Sequence, residues 1–246
     1  MGKDLEFTGE RFIPGTAGEI WHEHWHRYHF AAPLVAGLDV LDVACGEGYG
    51  SALLASRAAK VIGADIAASA VEHAREQYAR VTNLEFRQAD CAALPFADAS
   101  FDTVLLLEVL EHVADARGVL AEISRVLKPG AVLLISVPFL YPIHDAPHDY
   151  LRFTPSGIDA ELSANGFEPA SRDLRSPGFA AAGFLASVAC AEAALAAWRE
   201  KSWRIVLAPF ALLAVPLINA LGWIATRLFA TSQLIATGYA IRALKR

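Results

Sequence analysis

Three acidic residues, Asp42, Asp65 and Asp90, each follow an apolar, strand-like segment of the chain. The first is followed by glycines at positions 46, 48 and 50 and by a helix-like run from Tyr49. Glycine allows a sharp turn and a close approach to a ligand, and the amides that open a helix suit a polar or anionic group. Because ligands of parallel α/β sheets lie at the carboxyl ends of the strands, these residues predict a site for a nucleotide-like cofactor.

The glycine spacing distinguishes between cofactors. The dinucleotide fingerprint G-x-G-x-x-G requires a third glycine at position 51, where this chain has Ser51, so an NAD-dependent oxidoreductase is disfavoured. Asp65 lies about 20 residues beyond the loop, where a carboxylate accepts hydrogen bonds from ribose hydroxyls. Asp90 and Cys91 are placed to face an adenine, since a carboxylate can accept from its amino group and a backbone amide can donate to a ring nitrogen.

Histidines are the candidates for a general base, because their ordinary pKa lies near neutrality. His112 follows the fourth apolar segment, and His144 and His148 lie in the segment 141–150 after the fifth. That segment has three interpretations: a proline-containing substrate loop, a loop that supplies the base, or a metal site formed by His144, Asp145, His148 and Asp149. We rank them in that order, place His148 before His112 and His144 as the base, and predict no metal.

A segment rich in histidine and aromatic residues, Trp21 to Phe30, precedes the first strand. Histidines at 22, 24 and 26 alternate as on a strand and would suit a metal, but their surroundings are typical of a helix and contain no cysteine. We therefore predict a helix that packs over the cofactor cleft. Arg27 and Tyr28 on this helix are placed to meet a carboxylate of the cofactor.

Strand-like and helix-like segments alternate along the chain. Strands are predicted at 40–43, 60–65, 84–90, 101–107, 131–137, 166–175 and 236–244, with helices from 49, at 69–78 and at 116–127. The fourth strand is almost entirely apolar, as expected for a parallel strand that is covered on both faces. The alternation predicts an α/β fold built on a parallel sheet.

Five motifs in this order resemble those of class I S-adenosylmethionine (SAM)-dependent methyltransferases, in the branch that includes ubiquinone-biosynthesis-type enzymes. They are LDVACGEGYGS, GADIA, QADCAALPF, FDTVLLLEVLEHV and EISRVLKPGAVLLISVPF. The resemblance covers residues 40–137 densely. TGERFIP near the N-terminus and HDYLRFTPSGI at 148–158 are similar, more loosely, to bacterial methyltransferases associated with surface polysaccharide or lipid-linked glycan synthesis.

The resemblance implies a seven-stranded, Rossmann-like methyltransferase sheet with an antiparallel last strand, and SAM as the cofactor. It also implies that Asp42, Gly46 and Gly48 surround the methionine moiety. Asp65 would then hold the ribose, and Asp90 with Cys91 the adenine. The predicted cofactor site further includes the flanking residues Ala44, Cys45, Ile66 and Glu108, together with Arg27 and Tyr28.

Charge is distributed unevenly over the 246 residues, whose net charge is −6. Residues 1–171 contain 12 Lys and Arg against 24 Asp and Glu, whereas residues 172–246 contain 9 against 3. An acidic body with a basic, apolar tail argues against a nucleic-acid partner and indicates a membrane surface. The three cysteines have no spacing typical of disulfides or a metal pair, which indicates a reducing compartment, and no secretory signal is expected.

Two long apolar segments lie in this tail. Residues 179–198 are rich in alanine with Glu192 as their only charge, and residues 205–226 carry no charge, over a length that could cross a bilayer. Buried helices or a dimer interface are the soluble alternatives. We predict a helical hairpin at 179–226 in one membrane leaflet, because basic residues in its turn oppose export and two prolines, Pro209 and Pro216, should interrupt a straight spanning helix. Two full spans are the alternative.

The predicted organisation is an N-terminal cap at 1–36, a SAM-binding core at 37–175, a hydrophobic helical insertion at 176–231 and the last strand at 232–246. We expect a methyltransferase at the cytoplasmic face of a membrane that methylates a hydroxyl oxygen of a lipid-linked glycan or another amphiphilic acceptor. A quinone-like ring is the alternative acceptor, and a catalytically silent scaffold of a membrane glycan-assembly complex is the alternative function. The oligomeric state stays open.

Overall fold

The computed structural model describes residues 19–144, 146–229 and 235–246, with side chains from Trp25 onward. The predicted motif at residues 8–14 and the candidate metal ligand Asp145 lie outside the described residues.

Strands and helices alternate along the described chain. The strands are β1 (Asp39–Val43), β2 (Lys60–Asp65), β3 (Leu84–Gln88), β4 (Phe101–Leu107), β5 (Leu127–Pro138), β6 (Phe167–Arg175) and β7 (Gly238–Lys245). The α-helices are α1 (Glu19–Ala31), α2 (Tyr49–Ala55), α3 (Ala68–Gln77), α4 (Ala116–Val126), α5 (Pro155–Ala164), α6 (Phe179–Arg199) and α7 (Ala208–Leu228). Short 3₁₀ turns lie at Ala32–Val35, Leu110–His112 and Trp203–Leu207.

The strands form one mixed sheet in the order β3-β2-β1-β4-β5-β7-β6. The pairs β1–β2, β2–β3, β1–β4 and β4–β5 are parallel. Strand β7 is antiparallel to β5, since the end of β7 lies beside the start of β5. Nζ of Lys245, at the end of β7, donates to the carbonyl oxygen of Leu127, at the start of β5, over 2.6 Å. The amide of Thr237, before the start of β7, donates to Arg175 at the end of β6 over 2.9 Å. The predicted seven-stranded sheet with an antiparallel last strand is confirmed.

The core lies on both faces of the central strands β1 and β4. Leu41 on β1 and Leu105 on β4 are fully buried, and the amphipathic helix α4 buries Leu120 and Ile123 completely. A parallel sheet covered on both faces has little room for charged side chains except near the ends of its strands. The acidic residues of the sequence motifs therefore collect at the carboxyl ends of β1 to β4.

Two elements differ from the prediction. Strand β5 begins at Leu127, four residues before the predicted start. Its pairing with β4 is irregular around Pro129 and Gly130, because Phe101 pairs with Leu127 whereas Thr103 pairs with Val132. A bulge of this kind lets a strand continue through residues that do not fit its ladder. The sequence reading also missed helix α5, whose first turn contains Pro155 and whose Thr154 Oγ1 accepts from the amide of Gly157 over 3.1 Å. A Thr-Pro start is a recognisable helix signal.

The chain divides into two compact units. Among the described residues, the first comprises 19–137, 146–172 and 241–246, and the second comprises 138–144, 173–229 and 235–240. The domain boundaries drawn from the sequence stay a prediction.

The second unit contains a hairpin of α6 and α7, each 21 residues long and therefore about 31 Å in length. The two backbones approach closely at Gly183 and Gly222, where a Cβ on Gly222 would lie 2.7 Å from the carbonyl oxygen of Phe179. Between the helices, the hydroxyl of Ser187 donates to Oδ1 of Asn219 over 2.9 Å.

The expectation that prolines interrupt the second apolar helix is wrong. Pro209 lies in the first turn of α7, where its missing N–H has no intrahelical partner to lose. Pro216 lies inside α7, and the helix continues to Leu228. Pro216 removes only one bond of the ladder, and the next turn is held by close packing, since the carbonyl oxygen of Ile218 lies 3.2 Å from a Cβ built on Gly183.

The chain segments just before α6 and just before β7, which we call the stems of the hairpin, are hydrogen-bonded to each other. The amide of Gly178, just before α6, donates to the carbonyl of Ile235, just before β7, over 2.8 Å. With the bond from Thr237 to Arg175, this places the departure and the return of the chain side by side.

Candidate active site

The loop after β1 takes three residues through the left-handed region, with φ of 59° at Ala44, 53° at Gly46 and 80° at Gly48. A Cβ on Gly46 would meet no atom within 4 Å, so this part of the loop is open. A Cβ on Gly48 would lie 2.5 Å from the ring of Phe86, and one on Gly50 would lie 2.1 Å from the ring of Tyr28. Only Gly46 therefore offers open backbone, whereas the later glycines are required by packing within the protein.

Asp42 holds this loop from inside the fold. Its side chain is buried, its Oδ2 accepts from the hydroxyl of Ser51 over 2.6 Å, and its Oδ1 accepts from the hydroxyl of Tyr28 over 3.1 Å. Burial raises the pKa of Asp42 to about 7, although these two hydrogen bonds act in the opposite direction. The structure thus gives Asp42 and Tyr28 a positioning role, and their direct contact with a cofactor stays a prediction.

Asp65, at the end of β2, orders the open side of the same loop. Its Oδ2 accepts from the amide of Gly46 over 2.8 Å, and its Oδ1 accepts from the amide of Ala67 over 2.9 Å. The amide of Cys45 donates to Ala64 over 3.0 Å, which ties the loop to β2, and the thiol of Cys45 is buried. Ile66 next to Asp65 is 67% exposed, an apolar surface available to a planar ring.

Asp90 and Cys91 follow β3 in a tight turn. Asp90 is exposed, and its Oδ1 accepts from the amide of Ala92 over 2.9 Å. Cys91 is half-buried, and burial together with the charge of Asp90 raises the pKa of its thiol to about 11. The thiol therefore stays protonated at neutral pH and offers no nucleophile, which fits a binding role better than a chemical one.

Glu108 stands at the end of β4 with a φ of 55°, a left-handed conformation that is costly for a residue with a Cβ. Together with Ala44, it places strained backbone at the carboxyl ends of two neighbouring strands. The Oε2 of Glu108 lies 3.8 Å from Nη2 of Arg27. Arg27 is therefore engaged by a carboxylate of the protein, and its predicted contact with a cofactor carboxylate stays a prediction.

Glu111 lies one turn further on, with a fully buried side chain. Burial, and then the charge of Glu108, raise the pKa of Glu111 to about 8, while Arg27 and Arg152 act in the opposite direction. Its carboxyl is thus largely protonated at neutral pH.

The segment 146–152 is fastened to the 3₁₀ turn Leu110–His112. The amide of Tyr150 donates to the carbonyl of Glu111 over 2.8 Å, and Nδ1 of His112 lies 2.9 Å from the carbonyl oxygen of His148. Within the segment, Arg152 and Asp149 form a two-point ion pair. The side chain of His148 is exposed, with its Nδ1 2.8 Å from the hydroxyl of Tyr150.

Two of the three candidate bases therefore come together in the first unit, where His112 supports the backbone that carries His148. His144 belongs to the second unit. Its Nδ1 lies 3.3 Å from the carbonyl oxygen of Pro142 and its ring packs edge-on against Tyr141.

Sequence reasoning missed three side chains that shape the site. The glycine spacing gives Ser51 no role beyond replacing a glycine, and no sequence pattern assigns a role to Tyr150. Glu47, between the first two motif glycines, is buried with its Oε2 3.1 Å from Nε2 of His73 on α3. A buried acid in a glycine loop has no helical or strand periodicity, so no sequence pattern could have found its partner.

The strand-edge residues fit an adenosine-containing cofactor. The open Gly46 admits close approach of a ligand, Asp65 presents a carboxylate at the end of the second strand, and exposed Ile66 lies beside it. An acceptor carboxylate beside open backbone and an exposed apolar side chain suits ribose hydroxyls and an adenine ring.

Comparison with known proteins gives the class. Residues 41–135 match the family model described as "Methyltransferase domain". A protein of Mycolicibacterium smegmatis named "Probable S-adenosylmethionine-dependent methyltransferase" is 44% identical over 139 residues, which cover 54% of this chain and 52% of that protein. A demethylmenaquinone methyltransferase of Clavibacter sepedonicus is 43% identical over 101 residues, 41% of each chain.

The fold agrees with this class. The structure of an S-adenosylmethionine-dependent methyltransferase from Mesorhizobium loti superimposes with a TM-score of 0.60 over 90% of this chain and 97% of that one, at 17% identity. The chain thus contains a class I SAM-dependent methyltransferase domain, and the cofactor of this family is SAM. It spans about half the length of these curated relatives.

Proposed function

We propose that this protein is a membrane-associated SAM-dependent methyltransferase that methylates a hydroxyl oxygen of an amphiphilic acceptor, such as a lipid-linked glycan. The observation that carries the proposal is the pairing of two features at one edge of the sheet. Asp65 and Gly46, which we infer hold the cofactor, are hydrogen-bonded to each other after β2 and β1, and the segment that carries His148 is anchored to the turn after β4.

The residues of this cofactor site bind and position. Bound SAM would supply a methyl group on a sulfonium, which is already a good leaving group, so most of the rate should come from alignment of the acceptor with that methyl. Asp65 is held by two backbone amides and keeps lone pairs for ribose hydroxyls. Asp42, fixed by Ser51 and Tyr28, keeps the loop in its left-handed course.

The acceptor side would be formed by the segment 146–152. His148 is our first candidate for the base that takes the proton from an acceptor hydroxyl. Its exposed ring and its hydrogen bond to the Tyr150 hydroxyl give it access and orientation. Because His112 holds the carbonyl of His148, we assign His112 to positioning the base.

The tail supports a membrane location. Helix α6 and the helical segment Trp203–Leu228 are each long and apolar enough to cross a membrane, by length and composition. Only 6% of the most apolar stretch of Trp203–Leu228 is buried. Large apolar side chains left exposed over such a length favour contact with lipid. An enzyme held at a lipid surface would meet acceptors that are anchored there, which supports the amphiphilic class of substrate.

A quinone-like ring is a second candidate acceptor. The similarity to a demethylmenaquinone methyltransferase supports it, although that similarity extends over only 41% of this chain. An apolar quinone would also be met at a lipid surface, so both candidate acceptors are compatible with the proposed location.

The test is a transfer assay with methyl-labelled SAM and the purified protein. Lipid extracts, the water-soluble extract and an isolated quinone fraction are offered as separate acceptors. Label in a polar, lipid-linked product supports the glycan, label in the quinone fraction supports the alternative, and label only in water-soluble products contradicts an amphiphilic acceptor. SAM binding without transfer to any fraction would favour a silent scaffold.

A further inference from the structure

The two helices of the hairpin present different outer surfaces. On α7 the exposed side chains are large and apolar and recur at helical spacing along one face. They are Phe210, Leu213, Leu217, Leu221, Ile224 and Leu228, each between 44% and 73% exposed. This face runs the full length of the helix and contains no acidic residue.

On α6 the exposed surface consists mostly of small residues between Phe179 at its start and Leu195 and Trp198 near its end, which are the large apolar side chains it exposes. Alanines at 182, 186, 189, 193 and 196 are exposed at intervals of three or four, and Glu192 is exposed among them. Alanine contributes little apolar area, so burying this face in lipid would gain much less than burying the face of α7. Glu192, two turns before the end of α6, would make its immersion costly.

Aromatic and basic residues mark both ends of α7. At the turn before it, Trp198 is 68% and Trp203 is 76% exposed, and Arg199, Lys201 and Arg204 are exposed with them. At its far end, the guanidinium of Arg227 stacks on the ring of Trp223 with 3.4 Å between its carbon and the ring centroid. Tryptophan and basic side chains favour the boundary between acyl chains and headgroups.

These surfaces distinguish between two arrangements in a bilayer. A hairpin that spans the bilayer surrounds both helices with acyl chains, including Glu192 and its alanine neighbours, and must export the basic turn. A hairpin that lies flat needs one apolar side only, with tryptophans and cations at the same depth at both ends. The exposed side chains of the hairpin match the second arrangement.

We propose that the hairpin lies in the plane of one leaflet, with α7 in the acyl region and the alanine face of α6 toward the aqueous side. The ligand is an anionic lipid surface, with which the cations of the turn and Arg227 are complementary in charge. The inference rests on the proposed membrane association and adds to it which helix enters the lipid. It replaces the two-span alternative, which treats α6 and α7 as equivalent.

The test compares matched double substitutions in the full chain. Leu213→Glu with Leu217→Glu places two charges on the outer face of α7, and Ala186→Glu with Ala189→Glu places the same charges on the outer face of α6. Both pairs are exposed, so neither removes a core contact. Flotation with phosphatidylglycerol–phosphatidylethanolamine vesicles measures binding, and helix content with SAM calorimetry verifies that each variant is folded.

A flat hairpin predicts that the α7 variant loses at least tenfold in vesicle binding while the α6 variant floats like the wild type. Loss in both variants would indicate two spans and overturn the proposal, and so would flotation of both. A wild type that fails to float but becomes monomeric on the α7 substitution would show that a second copy covers this face. That result would overturn both the orientation and the membrane association, whereas the SAM-dependent part of the proposed function would be judged separately by calorimetry.

Discussion

Ser51 donates its hydroxyl to Oδ2 of Asp42 over 2.6 Å, and both side chains are buried under the cofactor loop. A glycine here, as in the dinucleotide fingerprint, would leave that carboxylate oxygen without its donor. Ser51 is therefore a structural requirement of this loop as well as a mark of its cofactor class.

Replacing Ser51 by Ala should destabilise the protein by about 1–3 kcal/mol, because a buried carboxyl oxygen loses its hydrogen-bond donor. Urea unfolding followed by circular dichroism measures the difference. Ser56→Ala is the control, since the hydroxyl of Ser56 donates to the carbonyl of Leu53 at an exposed position, and it should cost less than about 0.5 kcal/mol. Equal effects of the two substitutions would contradict the role given to Ser51.

The pKa of Asp42 predicts a dependence of stability on pH. Burial raises this pKa from 3.8 to about 7 in the folded protein, so the folded state holds the proton more tightly than the unfolded state. The free energy of unfolding should therefore fall as the pH rises from about 4 to about 7, by roughly 4 kcal/mol at most from this one group. Asp42→Asn should remove that part of the slope, as measured by urea unfolding at pH 5 and pH 8. An unchanged slope would mean that Asp42 is already ionised at low pH.

Ala44 adopts a φ of 59°, so replacing it by Gly should stabilise the fold. The left-handed conformation costs a residue with a Cβ about 1–2 kcal/mol, and the extra chain entropy of Gly offsets part of this, which leaves roughly 0.5–1 kcal/mol. Thermal unfolding measures it. Ala99→Gly, with a φ of 51° outside the loop, should stabilise similarly, whereas Ala97→Gly in the same turn as Ala99 should not. Destabilisation by Ala44→Gly would contradict the described backbone.

Asp65→Ala should weaken SAM binding at least tenfold. The substitution removes charged acceptors for ribose hydroxyls, each worth about 1.5–3 kcal/mol, and frees the amide of Gly46. Isothermal titration calorimetry gives the affinities for SAM and for S-adenosylhomocysteine. Asp98→Ala, at an exposed acid paired with Arg125, serves as the control and should bind as the wild type does. Wild-type affinity in Asp65→Ala would rule out the ribose assignment.

His148→Ala should lower turnover on a hydroxyl acceptor by about 10²–10⁴-fold and leave SAM affinity unchanged, as expected for a general base. His112→Ala should instead raise KM for the acceptor as well, because it releases the carbonyl of His148. His112→Asn retains an amide donor near that carbonyl and should restore KM. If His148→Ala keeps full turnover, the acceptor loses its proton to another group or arrives ionised.

The sequence predicted the elements that depend on local pattern. These elements are the apolar segments of β1, β2 and β4, the glycine turn and the acidic residues at the strand ends. They follow one another in a fixed order along the chain, and the structure has them where the sequence predicts them. Strand β5 differed, because its bulge at Pro129 and Gly130 depends on pairing with β4 rather than on its own residues. Helix α5 was missed although its Thr154 and Pro155 signalled it.

The site was less predictable than the fold, because its contacts join residues that are far apart in the chain. Tyr28 bonds to Asp42 and His73 pairs with Glu47, and nothing in the local spacing links either pair. The fastening of His148 to His112 depends on how the segment after β5 folds back over the turn after β4. The residue types in the sequence identify the candidate site residues. Only the tertiary structure shows which of these residues hold others in position.

The stems of the hairpin, joined by the bond from Gly178 to Ile235, make α6 and α7 an insertion with a single point of entry. Closing so long a loop costs the fold little, because closure entropy rises only with the logarithm of loop length. A turn of a few residues between Gly178 and Ile235 would close the same gap, so the sheet does not depend on the hairpin, which can be gained, exchanged or lost independently of it. Proteins with the same catalytic core could in this way act at different locations in the cell. A version without the hairpin should also be obtainable for crystallisation without redesign of the sheet.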